Sequence, residues 1–347
     1  MTFLSGFLRS NALIRIRSWE YWPFGIVHAP LFPYWLWLSF KARSLTFFSA
    51  SNPGMLMGGM FGESKYDVMS SVPNEIKPKT ILVPFPNSTT GVLEQLDLHH
   101  LKFPLIFKPD LGERGWRVKK ISGAEDVDEY LKKINMPFLA QEFVSLPLEF
   151  GVFYVRYPGE SNGRVTSIVG KEMLSVTGDG VQTLRQLILG NDRAKLQWEV
   201  LQSSFEARLD MVISHGERVE LVSIGNHCLG TTFLNANHLI TARLSRSFDL
   251  ISKSIAGFYF GRFDIRTASL ADLEDGRVMV MELNGCGAEP GHIYQPGFPL
   301  TEAIRVLFRH WSDIYRVSAE NHRLGTPYIS FREARSIYKQ FKTLTAA

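Results

Sequence analysis

Two stretches of this chain place oxygen donors and guanidinium groups at strand spacing. In "GRFDIR" (261–266), Arg262, Asp264 and Arg266 occupy alternate positions, and alternate residues of a strand share a face. In "VMVMELNGCGAEPG" (278–291), Glu282 and Asn284 do the same at the end of an apolar run, just before a glycine-rich loop. The Asp275-Gly276 turn signal between the two stretches predicts a hairpin. If both sets face one cavity, two carboxylates and an amide oxygen converge. Magnesium takes such oxygen ligands, with phosphates and water completing its shell. The arginines would then hold an anionic substrate or a transferring phosphoryl group. By itself the hairpin favours a plainer reading, an exposed Asp–Arg ladder.

Two more stretches carry residues of interest. In "FKPDLGERGWRV" (107–118), Lys108 ends an apolar strand and is followed by Gly112 and Gly115. Small residues let backbone N–H groups approach phosphate oxygens, and the ammonium neutralises charge. The Gly-Lys-Ser/Thr order of a Walker loop is missing. In "AQEFVSLPLEF" (140–150), Glu142 and Glu149 bracket a connection containing Pro147. Glu142 or its neighbours would serve a base and Glu149 a ribose; ordinary strand-end glutamates explain the pattern equally well.

The order of these motifs, from about Phe103 to Trp311, resembles the ATP-grasp superfamily. "FPLIFKPDLGERGWRV" is similar to that family's lysine and phosphate-loop element. "QEFVSLPLEFGVFYV" is similar to its hinge and ribose element, with the glutamate separation of D-alanine–D-alanine ligases. "GRFDIR" and "MELNGCGAEPG" are similar to its two metal-ligand strands. The resemblance implies an α+β ATP-grasp fold in which two subdomains clasp ATP. It implies ATP contacts from Lys108, Gly112, Gly115, Gln141, Glu142, Val144 and Glu149. Asp264, Glu282 and Asn284 would hold Mg2+ or Mn2+, and Arg262 would face an acyl phosphate or a substrate carboxylate. Two further stretches resemble the cyanophycin synthetase and glutamate-ligase branch: "VTGDGVQTLRQLI" (176–188) and "HGERVELVSIGNHCLGTT" (215–232). They bring in Lys171 as a phosphate or base contact, with Arg218 and Asn226 as weaker matches. Glu289 and His292, in the loop after the second metal strand, are expected near the substrate.

The elements needed to position these groups are legible as alternating strands and helices. Strands are expected at 44–51, 79–85, 104–110, 138–144 and 148–158, with helices at 88–101 and 125–134. An amphipathic helix is expected from residue 300 to 315. The division expected is an aromatic-rich segment at 1–43, a shortened α/β unit at 44–101, the ATP-grasp domain at 102–320 and an extension at 321–347.

Composition sets the frame. The chain has 347 residues, 45% hydrophobic and 21% charged, with a formal net charge of +4, enough for a sizeable core. No Lys/Arg-rich run marks it as a nucleic-acid binder. Two cysteines, Cys228 and Cys286, fit a reducing compartment, so a cytoplasmic location is expected, and no cleavable signal peptide is evident. "WPFGIVHAPLFPYWLWLSF" (22–40) is aromatic and apolar but interrupted by Pro23, Pro30 and Pro33. It reads as an element packed on its own protein or as a peripheral patch on the inner membrane face, rather than as a span.

The expected activity is ATP-dependent ligation of a small-molecule carboxylate to an amine or thiol through an acyl phosphate, releasing ADP. Two rivals are an ATP-grasp kinase and a nucleotide-binding, membrane-associated protein without turnover. A homodimer is left open.

Overall fold

The computed structural model describes residues 10–113, 115–222, 225 and 230–345. Two antiparallel sheets dominate. The first has the order β1-β4-β2-β3, from β1 (Thr80–Val83), β2 (Leu105–Pro109), β3 (Lys119–Ile121) and β4 (Phe138–Glu142). Alternation decides its faces. Leu105, Phe107, Phe138 and Ala140 pack with Val92, Leu96, Val127 and Tyr130 of the helices Thr89–Leu98 and Ala124–Leu131. The opposite face carries Ile106, Lys108 and Gln141 toward a cavity.

The second sheet has the order β11-β10-β5-β6-β9: β5 (Leu148–Val155), β6 (Arg164–Glu172), β9 (Thr232–Asn235), β10 (Phe260–Thr267) and β11 (Met279–Asn284). One face buries Val152, Tyr154, Phe263, Ile265 and Val280 with Phe248 of the helix Ala242–Lys253. The other face is apolar at one end, where Phe153, Val155 and Phe260 meet Ile314 and Val317 of the helix Leu300–Arg323. Toward the other end it is polar. A small insert, β7 (Ser175–Thr177) and β8 (Arg218–Glu220) with the helices Leu184–Gly190 and Trp198–Ser204, has its own apolar centre around Leu184, Ile188 and Leu201.

The α+β class and the two sheets match the expectation. The unit expected at 44–101 does not stand alone. β1 pairs antiparallel with β4, Thr80 opposite Gln141, so residues from 80 onward belong to the first sheet. The strand expected at 44–51 is a 3-10 turn, Phe47–Ala50. Consecutive residues Phe47, Phe48, Ser49 and Ala50 are all buried, so this segment has no solvent face to set an alternation. The hairpin expected at Asp275-Gly276 is longer than a two-residue turn. The short helix Leu270–Glu274 closes β10 onto β11, and Gly276 takes φ 73° after its C-cap.

The N-terminal segment packs on the protein. Val27 and Leu31 sit with Ile293, Ala303 and Leu307, the Trp19 indole donates to the Phe298 carbonyl (2.6 Å), and the Tyr34 hydroxyl bonds Ser312 (2.7 Å). The outward face of the helix Leu31–Ala42 leaves Phe32, Leu36, Trp37 and Phe40 exposed. Among the described residues no helix is long and apolar enough to cross a membrane.

Candidate nucleotide and ligation site

A cavity of about 860 Å³ lies between the two sheets and is lined by Lys108, Gly112, Gly115, Gln141, Glu142, Val144, Glu149, Lys171, Arg262, Asp264, Glu282, Asn284 and Glu289, while His292 and Arg218 are not in its lining. Its wall on the second sheet begins with a register fault. Asp264 pairs with Glu282, but Ile265 pairs with Val280, so Met281 is an extra residue in β11, a β-bulge. The fault lets Val280 and Leu283 both enter the core while Glu282 and Asn284 face the cavity.

The bulge also leaves the Met281 carbonyl to serve the site. The Lys108 ammonium, on the first sheet, donates to it across the cleft (3.0 Å) and to Gln141 Oε1 (3.1 Å). An ammonium has three donors, so one remains for a ligand. Burial pushes the Lys108 amine below its usual range, with the Glu282 carboxylate opposing. Gln141 acts as a strut, its amide also donating to Thr80 Oγ1 (3.1 Å). Gly112 and Gly115 line the mouth with φ of 142° and 72°, left-handed values that favour glycine.

Three side chains are locked around Asp264. Arg262 donates to both carboxylate oxygens, Nε to Oδ1 at 3.2 Å and Nη2 to Oδ2 at 3.0 Å. Asn284 Nδ2 adds 3.0 Å to Oδ2, and Lys171 Nζ lies 3.0 Å from Oδ1. Burial would raise this carboxyl, but the Arg262 and Lys171 charges outweigh it and hold it down at about 2. Lys171 also reaches Glu149 (3.2 Å), whose other oxygen takes Arg266 through Nε at 3.0 Å and Nη2 at 2.9 Å. Glu149, expected to meet a ribose, therefore sits between two cations. Arg266 also donates to the Val144 carbonyl (2.9 Å), tying the hinge to the second sheet. Glu142 is exposed at its edge.

Glu282 faces the cavity beside this network. Among the described residues it has no hydrogen-bond or ion-pair partner, and Asp264 is its cross-strand neighbour. A partnerless carboxylate next to a second carboxylate and an amide is a donor set that fits a hard divalent cation.

Several site residues are not singled out by the sequence motifs. Glu63, at the end of the stretch "NPGMLMGGMFGES" (52–64), is half-buried, with its Oε2 buried and unpartnered among the described residues. Burial raises its carboxyl, against its own backbone N–H and Lys65. Lys65 donates to the Gly112 carbonyl; its position in the first turn of the helix Lys65–Ser70, where a cation opposes the dipole, is a signal in the sequence. Gly151 faces Asp264. A Cβ there would lie 3.1 Å from Arg262 Cδ and 2.8 Å from a Val169 methyl, and a glycine inside a strand is the mark of such close approach. His28 and Tyr294 both bond Glu289. His292 is buried and bonds Ser167 (2.7 Å), so it is structural. Arg218 is on β8, in the insert. Asn226 and Cys228 lie outside the described residues.

No family model and no curated protein matches the chain in sequence. Solved structures do. A bifunctional glutathione synthetase from Pasteurella multocida aligns at 14% identity and TM-score 0.37, over 70% of this chain and 35% of its own. The VanG D-Ala:D-Ser ligase from Enterococcus faecalis aligns at 12% and TM-score 0.43, over 76% and 62%. A D-alanine–D-alanine ligase from Bacillus anthracis aligns at 14% and TM-score 0.40, over 78% and 71%. The chain thus spans about a third of the first of these and under two thirds of the second. The likeness lies in the fold alone.

Proposed function

We propose that this chain is an ATP- and magnesium-dependent, ADP-forming ligase that joins a carboxylate to an amine or thiol through an acyl phosphate. The observation that carries the reading is the bond from Lys108 to the bulge carbonyl of Met281. It sets a partly desolvated ammonium from one sheet beside the Asp264–Glu282 pair of the other. Such a site suits a polyanion whose charge must be spread while a terminal phosphoryl group leaves.

In this reading Lys108 and Lys65 draw the phosphates to the mouth between Gly112 and Gly115. The segment from Gln141 to Val144 borders the base, and Glu149 accepts from the ribose. Magnesium, when bound, neutralises phosphate charge and orients the γ-phosphoryl group; Asp264, Glu282 and Asn284 would hold it. An oxygen of the substrate carboxylate attacks the γ-phosphorus, and ADP leaves with the bonding electrons. Arg262 and Lys171 steady the acyl phosphate. The nucleophile then attacks the carbonyl carbon and releases inorganic phosphate and a proton. Asp264 is engaged by Arg262, Lys171 and Asn284. Arg262 and Lys171 would have to leave Asp264 for a triphosphate before that carboxylate could hold a metal.

The direct test is ADP release against a panel of carboxylate and amine or thiol pairs, with Glu282→Ala as the blank. A pair that releases ADP with the chain and not with the variant supports the reading. Unchanged turnover in Glu282→Ala or Lys108→Ala would falsify the assignment.

A second feature favours peripheral membrane contact. Phe32, Leu36 and Phe40 recur at i, i+4 and i+8 and are exposed, next to Lys41 and Arg43. Aromatic stripes beside basic residues suit an anionic lipid interface.

A further inference from the structure

At the end of the cavity away from Lys108, the N-terminal segment closes over the loop that follows β11. His28 Nε2 lies 2.5 Å from Glu289 Oε1, and the Tyr294 hydroxyl donates to Glu289 Oε2. The Glu289 backbone carbonyl accepts from Arg262 Nη1 (3.3 Å). The carboxylate is thus one residue's length from the arginine that borders the reacting group. Its side chain keeps 23% of its surface, and it lines the cavity with Trp19, Trp22, Phe24 and Trp311. Burial would raise the Glu289 carboxyl, yet His28 and Tyr294 hold it below the usual range, so it is anionic at neutral pH.

This end of the cavity is chemically unlike the end around Lys108. The phosphate end gathers Lys65, Lys108, Lys171 and Arg262. The far end offers the anchored Glu289 carboxylate and the faces of indole and phenyl rings, while Glu20, also in its lining, is paired with Arg193 (2.9 Å). Arg15 also borders it. His310, adjacent to Glu289, is held neutral at neutral pH, because burial pushes its imidazole down to about 4. A carboxylate walled by aromatic rings attracts an ammonium through charge and through the ring quadrupoles. It repels the anionic acid that the ligase reading places at Arg262.

We propose that Glu289, His28 and the aromatic wall supplied by residues 19–28 form the nucleophile subsite, and that it takes a primary amine on an apolar or aromatic carrier, bound as its ammonium. This deepens the ligase reading and rests on it for the chemical step. The ammonium gives one proton to solvent while the Glu289 carboxylate holds the nitrogen in place. The freed nitrogen lone pair attacks the acyl-phosphate carbonyl carbon, the carbon–oxygen bond to phosphate breaks, and phosphate leaves with that electron pair. The second N–H proton leaves to solvent as the amide forms. The segment matches nothing in the motifs for nucleotide binding, so it confers acceptor choice on a shared nucleotide site.

Binding alone tests this, without turnover. Trp19, Trp22 and Trp311 report on the subsite, so tryptophan fluorescence is titrated with phenethylamine, 2-phenylethanol and 3-phenylpropionate on the full chain. The expected order is amine tightest and carboxylate weakest. Glu289→Gln should weaken the amine about tenfold or more, as loss of a charged hydrogen-bond partner does, and leave the alcohol unchanged. Tyr294→Phe, which keeps the ring, should weaken it a few-fold. Equal or tighter binding of the carboxylate on the unmodified chain overturns the proposal, and does so even if Glu289→Gln fails to fold. Amine binding that depends on Glu289 while no carboxylate–amine pair releases ADP would keep the subsite and remove the ligase reading. ADP formation with acceptors that are insensitive to Glu289→Gln would do the reverse.

Discussion

Lys108 and Met281 are joined across the cleft. The lysine Nζ lies 3.0 Å from a carbonyl that a bulge in β11 has taken out of regular strand pairing. A buried carbonyl without a partner costs about 1–3 kcal/mol, so the bulge and the lysine satisfy each other, one supplying an acceptor and the other a charge. Replacing Lys108 separates the two roles. Lys108→Met removes a desolvated charge from the interior and should change the melting temperature by only a few degrees, because burying a charge offsets what its bonds contribute. ADP formation should fall by about a hundredfold or more, in the range seen when a preorganised charge is removed from a phosphoryl-transfer site. Thermal melting and an ADP assay on one preparation read both.

Nucleotide and metal should bind cooperatively. Asp264 carries four donor contacts, so a cation by itself must compete with Arg262 and Lys171. Titration with Mn2+ followed by its electron paramagnetic signal should show weak binding by the chain alone. Binding should tighten about tenfold or more with a non-hydrolysable ATP analogue, and the metal should tighten the analogue by the same factor. Equal Mn2+ affinity in both conditions would mean Asp264 is already available.

Stability should decline in mild acid. Burial pushes the imidazoles of His292 and His310 down to about 4 from an ordinary 6.5. A group with a depressed folded pKa binds its proton more readily in the unfolded chain. Its contribution is therefore complete above about pH 6.5 and is lost as pH falls toward 4. Two such histidines give a loss of about 3 kcal/mol each at the low end. Urea midpoints measured from pH 7.5 to 4 should fall, and His310→Gln should flatten part of that slope. A midpoint constant over this range would show that neither ring is held neutral.

The exposed stripe on the helix Leu31–Ala42 gives a test of membrane contact. The chain should float with phosphatidylserine vesicles, less with neutral ones, and less again as salt rises. Phe32→Asp combined with Phe40→Asp should abolish flotation and leave ADP formation unchanged. Flotation that persists in this variant would move the contact elsewhere.

The sequence made much of this site legible because strand alternation and spacing are local. Arg262, Asp264, Glu282 and Asn284 do share one wall, and Lys108 does end a strand beside a glycine loop. What escaped is what only tertiary structure creates. Strict alternation from Glu282 puts Val280 on the cavity face; the bulge at Met281 returns it to the core, and no local pattern announces that. The pairing of Lys171 with both Glu149 and Asp264 joins residues from three strands. His28 reaches Glu289 across 261 positions of sequence, from a segment whose aromatic composition spoke of packing or lipid rather than of a binding wall. The segment at 44–51 was misread as a strand because its apolar run fits a buried strand and a buried 3-10 turn alike.

The routes by which the chain enters and leaves the first sheet carry one more consequence. It comes in through residues 73–79, after Val68, Met69 and Val72 have packed on the second sheet, and goes out through residues 143–147. These two crossings lie side by side, since Thr80 sits opposite Gln141 and the Glu142 amide donates to the Lys79 carbonyl (2.9 Å). Two adjacent straps on one edge make a door hung on a single jamb. A turn of the lobe 80–142 about that edge would break the bond from Lys108 to Met281, which is its latch. The Lys108 ammonium keeps one donor beyond those on Met281 and Gln141, so an anion in the doorway would meet the same group that fastens the door.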